Sequence, residues 1–209
     1  MIRSQPSVIL NVHLHLDSST QPLLLRSYKY RQRMSSSSHA LQLMARSEEY
    51  TKTHSPPPMI LDVPMADRPH TIIFCCADGR VNPVALLGLG LTDAIVIRNA
   101  GCVLPRMISD LLVLDQFADL REILVISHTD CGLTHVTDDQ VHQSLKSRVS
   151  GHDDQIDSIP IGGFKDNVER VKSDVQYIRT HPLVRKELID HIYGGVYDIK
   201  TGKLTRVEL

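Results

Sequence analysis

The stretch TIIFCC at residues 71–76 is short, continuously apolar and rich in β-branched side chains. Such a run is typical of a strand that is buried on both faces of a parallel sheet. Two further runs match it, AIVI at residues 94–97 and ILVI at residues 123–126, and helical patterns at 83–89 and 107–120 lie between the runs. Strands that alternate with helices at these spacings predict right-handed parallel crossovers. The expected fold is therefore α/β, with a central, mostly parallel β-sheet flanked by helices.

Beyond the third strand, the sequence predicts further helices and a closing hairpin. Helical patterns cover residues 137–146 and 163–179, and the polar stretch at 147–160 is expected to be a loop. The predicted hairpin consists of a strand at 195–199, a turn at Thr201 and Gly202, and a second strand at 203–208. This hairpin is expected to form an edge of the sheet.

The first part of the chain differs from the rest. Residues 1–33 are rich in arginine and lysine and almost free of acidic residues, which resembles an organellar transit segment. A helical pattern starts after Ser38, and the prolines at 56–58 end it. We therefore divide the chain into a leader at residues 1–37, either disordered or a transit segment, and one domain at 38–209 that begins with an N-terminal helical arm. The expected location is the cytoplasm, or the mitochondrion if the leader is a transit segment.

Composition limits the class of partner. The chain has 209 residues, of which 42% are hydrophobic, a formal net charge of −1 and a pI near 6.8. No run approaches the roughly 18 apolar residues of a membrane span, and no basic block lies outside the leader, so neither a membrane nor a nucleic acid is an expected partner. A small-molecule substrate fits better. No secretory signal accompanies the four cysteines, so metal ligation or burial is expected rather than disulfide bonds.

Two short motifs lie at the ends of predicted strands. CADGR at residues 76–80 ends the first strand, and HTDCG at residues 128–132 follows the third. Because the carboxyl ends of neighbouring parallel strands meet at one edge of a sheet, Cys76, His128 and Cys131 are expected to converge there. Two thiols and one imidazole are three zinc ligands that leave a fourth position for water, as in catalytic zinc sites. The sequence therefore predicts a zinc centre at this edge.

The first motif also contains Asp78 and Arg80, which can form a fork-type ion pair that keeps the carboxylate ionised. In the functional interpretation, Asp78 accepts a hydrogen bond from zinc-bound water or hydroxide, and Arg80 fixes its orientation. The alternatives are an ordinary ion pair in a loop, or an Asp78 that itself occupies the fourth zinc position. Strand alternation turns Cys75 away from Cys76, so Cys75 is expected in the core, and Cys102 is expected to be buried as well.

Together with RNAG at residues 98–101, the two motifs resemble those of the beta-class carbonic anhydrases in order and in approximate spacing. The resemblance covers residues from about 40 to 209 and points to a compact branch that also contains carbonyl sulfide hydrolases. It implies that the three predicted ligands hold one zinc ion per chain and that Asp78 and Arg80 form a catalytic dyad. It also implies a homodimer or a pair of dimers.

Two details depart from the pattern of the family. Gly79 stands where many members have serine or alanine, and the glutamine-bearing segment that lies beside the substrate in the plant-like branch is absent. Substrate contacts are therefore expected to rest on backbone groups near Gly101 and Gly132 and on apolar walls.

Three functions are compatible with these residues. The first is a carbonate dehydratase, a zinc lyase that hydrates CO2 reversibly to bicarbonate by a zinc-bound hydroxide. The second is hydrolysis of carbonyl sulfide to hydrogen sulfide and CO2, which needs the same nucleophile. The third is a non-catalytic zinc or redox-sensing protein, in which Cys75 and Cys76 are the responsive pair. A histidine such as His135 or His142 could relay the proton in an enzyme, but the sequence has 11 histidines and gives no basis for choosing among them, so the relay is left unassigned.

Overall fold

The structure is a computed structural model that describes residues 38–209. The described residues divide between two units, with the boundary between Pro57 and Pro58. In the first unit, helix α1 (His39–Thr51) confirms the predicted N-terminal helix, and all of its residues are exposed. The predicted leader at residues 1–37 lies outside the described residues.

The second unit alternates strands and helices, as the sequence predicts. Its strands are β1 (Thr71–Cys76), β2 (Ile95–Asn99), β3 (Glu122–His128), β4 (Ile192–Tyr197) and β5 (Leu204–Val207). Its helices are α2 (Pro83–Leu87), α3 (Ile108–Ala118), α4 (Asp138–Lys146), α5 (Asp153–Asp157), α6 (Asn167–Thr180) and α7 (Lys186–Ile189). Short 3-10 helices lie at Ile60–Asp62, Met65–Asp67, Leu104–Arg106 and Gly132–Thr134. Between residues 38 and 209, no helix has both the length and the hydropathy that crossing a bilayer requires.

The strands form one sheet in the order β2-β1-β3-β4-β5. The pairs β1–β2, β1–β3 and β3–β4 are parallel, and β4–β5 is antiparallel. The predicted α/β fold with a mostly parallel sheet and a C-terminal hairpin at its edge is therefore confirmed. The hairpin turn closes where Gly202, at a φ of +73°, donates its N–H to the carbonyl of Asp198.

Several sequence-based boundaries need correction. The first strand of the hairpin, predicted at 195–199, is β4 at Ile192–Tyr197. The segment at 147–160, predicted to be a loop, contains the one-turn helix α5. Helix α6 begins at Asn167 rather than at residue 163, because the Asp166 carboxylate caps it by accepting the backbone N–H groups of Val168 and Glu169. Strand β3 extends to His128, so this histidine ends the strand instead of following it.

Apolar side chains cover the two faces of the sheet in separate clusters. The larger cluster packs strand residues such as Phe74 against α3 and α6, and it includes the buried Cys102. The smaller cluster, on alternate positions of the strands, comprises Ile73, Cys75, Val81 and Ile126. The predictions that Cys75 is a core residue and that Cys102 is buried are therefore confirmed.

A buried ion pair joins α6 to the loop that follows β2. Arg170 Nε lies 2.7 Å from Asp174 Oδ2, and the two side chains are only 10% and 4% exposed. The guanidinium also donates to the carbonyl of Cys102, and Asp174 accepts the backbone N–H of Leu104. This pair therefore holds the backbone of the loop that carries Gly101 to the candidate site.

Candidate metal centre

The structure brings the three predicted ligands together at the carboxyl edge of the sheet. Strand β1 ends at Cys76, the neighbouring β3 ends at His128, and Cys131 directly precedes the 3-10 helix Gly132–Thr134. All three residues are buried, and their sulfur and nitrogen ligand atoms lie within 4.8 Å of one another. The predicted convergence of two thiols and one imidazole is present in the fold.

The imidazole of His128 is oriented like that of a metal ligand. Its Nδ1 lies 2.9 Å from the carbonyl oxygen of Thr129, which favours the tautomer with a proton on Nδ1. Its Nε2 is buried and has no hydrogen-bond partner among the described residues. Because a buried polar atom without a partner costs free energy, this lone pair fits a site that an ion completes.

The sulfur of Cys76 lies among hydrogen-bond donors. Its Sγ accepts the backbone N–H groups of Asp78 at 3.4 Å and Gly101 at 3.3 Å. A hydrogen bond from the Cys131 thiol, with further contributions from His128 and the two backbone groups, lowers the pKa of Cys76 to about 4 even though burial opposes ionisation. The same contact raises the pKa of Cys131. This contact therefore favours ionisation of Cys76 over ionisation of Cys131.

These donors fit zinc. Two sulfur atoms and one imidazole nitrogen are ligands that zinc prefers, and three protein ligands leave one tetrahedral position free. The backbone N–H of Gly101 donates to the sulfur of Cys76, and Nδ1 of His128 lies against the backbone carbonyl of Thr129. Hydrogen bonds of this kind commonly orient metal ligands.

Asp78 and Arg80 form the expected fork-type pair. Arg80 Nη2 donates to Asp78 Oδ2 at 2.7 Å, and its Nε donates to Asp78 Oδ1 at 3.0 Å. The hydrogen bonds from Arg80 hold the pKa of the Asp78 carboxyl well below its usual range, so this group stays an acceptor. Its oxygens are engaged by Arg80, and Asp78 is not part of the group of potential metal ligands.

Sequence reasoning missed Asp130, which is the second partner of Arg80. Arg80 Nη1 donates to Asp130 Oδ2 at 2.7 Å, and Nη2 donates to its backbone carbonyl at 2.9 Å. The backbone of Asp130 has a φ of +55°, a conformation that aspartate tolerates better than most residues. The sequence feature that could have pointed to Asp130 is its position between the predicted ligands His128 and Cys131.

Sequence reasoning also gave Arg98 no role of its own. This residue of β2 donates from Nε to the carbonyl of Cys76 at 3.0 Å and from Nη2 to the carbonyl of Asp78 at 2.7 Å. A third bond reaches the carbonyl of Val81. Arg98 therefore fixes the backbone of the CADGR loop. The sequence feature that could have pointed to this role is a charged residue after the apolar run of β2.

The two glycines predicted to contact substrate differ in their surroundings. Gly101 has a φ of +81°, and a Cβ added there would lie 2.1 Å from Leu133 Cδ1, so only glycine fits. Its N–H is directed at the sulfur of Cys76. An added Cβ at Gly132 would meet nothing within 4 Å. The role of both residues in substrate binding stays a prediction.

Replacing Cys75 by alanine is expected to leave metal binding intact. The Cys75 side chain is 0% exposed, and burial raises the pKa of its thiol to about 11, which makes it a poor nucleophile and a poor partner for Cys76. The metal content of purified Cys75→Ala, measured by mass spectrometry, should equal that of the wild type, while Cys76→Ala should lose the metal. Loss of metal in Cys75→Ala, or a Cys75–Cys76 disulfide in the native protein, would support the redox-sensing alternative.

Comparisons with known proteins agree with this geometry. The family model for carbonic anhydrase matches residues 71–204, which include all three predicted ligands. Beta-carbonic anhydrase 1 of Mycobacterium bovis is 33% identical over 149 residues, covering 69% of this chain and 86% of that protein. A carbon disulfide hydrolase of Acidianus sp. is 29% identical over 155 residues, covering 64% of this chain and 75% of that protein. A crystal structure of the carbonic anhydrase of Streptococcus mutans matches with 28% identity and a TM-score of 0.69, covering 83% of this chain and 99% of that one. The sequence, the fold and the converging Cys76, His128 and Cys131 thus agree, and the chain belongs to the beta-class carbonic anhydrase family.

Proposed function

We propose that this protein is a zinc-dependent carbonic anhydrase that hydrates CO2 reversibly to bicarbonate, with Cys76, His128 and Cys131 as ligands of one zinc ion. The observation that carries the proposal is the convergence of these three side chains while Asp78 is paired with Arg80. A site with three protein ligands and an engaged aspartate keeps room for water, which a catalytic centre needs and a closed structural centre lacks.

Bound zinc would supply Lewis-acid activation of water, which produces a nucleophile near neutral pH. The residues of the chain would orient that chemistry. The ionised Asp78 carboxylate can accept a hydrogen bond from a water molecule in the site, and Arg80 holds this carboxylate through two nitrogen donors. Asp130 anchors the other side of the same guanidinium, so the dyad is braced from the second motif as well.

Hydrolysis of a sulfur-containing heterocumulene is the second candidate function. The similarity to carbon disulfide hydrolases favours it, because these relatives carry the activity on a related sequence. Carbonyl sulfide and carbon disulfide are linear molecules with an electrophilic carbon, like CO2, so the same nucleophile would attack all three. Discrimination among them would depend on the walls of the pocket rather than on the zinc ligands.

We further propose that the protein acts as a homodimer or a pair of dimers, as the family resemblance implies. The exposed apolar side chains of α1, which include Leu41, Met44 and Tyr50, support an assembly that covers them.

The test is a parallel assay of zinc-loaded protein for CO2 hydration and for sulfide release from carbonyl sulfide and carbon disulfide. We expect CO2 hydration to be the faster reaction by a wide margin. Sulfide release that exceeds hydration would establish the second function instead. Bound zinc without either activity would favour the non-catalytic alternative.

A further inference from the structure

We propose that His135 is the residue that takes the proton released by CO2 hydration and passes it to buffer in the solvent. The inference rests on the proposed function, since it names the proton-transfer residue of that same site. Histidine suits the task because its unperturbed pKa lies near neutral pH.

The first observation is the position of His135 in the chain, four residues after Cys131. It follows the 3-10 helix after Cys131, and its backbone N–H donates to the carbonyl of Gly132 at 3.2 Å. The loop is tightened further by Thr134, whose N–H and hydroxyl both donate to the carbonyl of Cys131. His135 is therefore held one short turn away from a zinc ligand.

The second observation is a continuous polar connection from His135 to the dyad. His135 Nε2 lies 3.2 Å from Asp130 Oδ1, and Asp130 Oδ2 accepts Arg80 Nη1 at 2.7 Å. Arg80 in turn holds Asp78. Asp130 thus connects the imidazole of His135 to the Asp78–Arg80 pair by way of the Arg80 guanidinium.

The third observation is solvent access. The His135 side chain is 67% exposed, so its ring can exchange protons with buffer molecules. Hydration turns one CO2 and one water into bicarbonate and one proton. The proton reaches the lone pair of the imidazole through solvent, and a buffer base then removes it and restores the neutral ring. No bond other than those to the proton changes at His135.

The other candidate, His142, has different surroundings. Its side chain is only 15% exposed, its Nε2 lies 2.9 Å from the carbonyl oxygen of Ile159, and its Nδ1 faces Asp157. These contacts tie α4 to the segment around α5. Within residues 38–209, none of these contacts links His142 to Asp78, Arg80 or Asp130.

The test compares His135→Gln with wild type and with His142→Gln, each loaded with zinc, in stopped-flow CO2 hydration at low and high buffer concentration. In His135→Gln, kcat at low buffer should fall by about 100-fold, the lower end of what a positioned acid–base group contributes. The value of kcat/KM should be unchanged, since it reports the steps up to bicarbonate formation. Added imidazole should restore kcat, and His142→Gln should behave like wild type.

Three results would overturn the proposal while leaving the proposed function in place. They are an active His135→Gln enzyme with the buffer dependence of wild type, an equal fall in kcat and kcat/KM, and a selective loss in His142→Gln. A wild type without hydration activity would instead remove the proposed function. Thermal unfolding of each variant verifies that the comparison is made between folded proteins.

Discussion

Cys131→Ser is expected to lose its zinc and to hydrate CO2 no faster than the uncatalysed reaction. A serine hydroxyl does not ionise at neutral pH and is not among the usual zinc ligands, so only Cys76 and His128 would remain. The loss of the second thiolate therefore opposes binding of the ion.

Metal analysis and stopped-flow hydration measure this effect, with Cys75→Ala as the matched control. Both substitutions remove one buried thiol from the same edge of the domain, but only Cys131 contributes to the cluster of potential ligands. Wild-type activity in Cys131→Ser would exclude the metal centre as described, whatever the family of the chain.

Arg170→Met is expected to lower the free energy of unfolding by about 3–5 kcal/mol, because it leaves the buried Asp174 carboxylate without its partner. The substitution also removes the donor to the carbonyl of Cys102. Urea unfolding followed by far-UV circular dichroism measures the loss as a lower midpoint at an unchanged m value.

Lys172→Met is the matched control on the same helix. Lys172 Nζ lies 3.1 Å from Glu169, but both side chains are well exposed, so the loss should be about 1 kcal/mol or less. Replacing both members of the buried pair, as Arg170→Met with Asp174→Leu, should recover part of the stability because no unpaired charge is left. Equal effects of Arg170→Met and Lys172→Met would show that the buried pair does not stabilise the fold.

Much of the fold could be predicted from the sequence because its parallel strands are continuous apolar runs. The strand at 71–76 and the meeting of Cys76 with His128 at one edge follow from that pattern and from the rule that parallel strands end at one edge. Helix α5 could not be predicted, because its five residues include three aspartates and bury only Ile156. Short polar helices carry no apolar period to detect.

The supporting residues of the site could not be predicted for a different reason. Asp130 and Arg98 act through contacts between segments that are distant in sequence, and spacing along the chain does not encode such contacts. The pairing of Asp78 with Arg80 was accessible because the two residues are separated by one position. Pairs of residues that are close in sequence can thus be predicted, whereas hydrogen bonds from another strand or motif require the three-dimensional structure.

The hydrogen bonds of Arg98 have a consequence for protein engineering. The Arg98 side chain extends from β2 and donates to the backbone carbonyls of Cys76, Asp78 and Val81. The conformation of residues 76–81 therefore depends on a residue outside that segment. If residues 76–80 were transferred to another protein with a parallel sheet, Cys76 and Asp78 would be present. The hydrogen bonds from Arg98 that fix the backbone of this segment would be missing. Such a transfer would have to include β1 together with its neighbour β2, which carries Arg98.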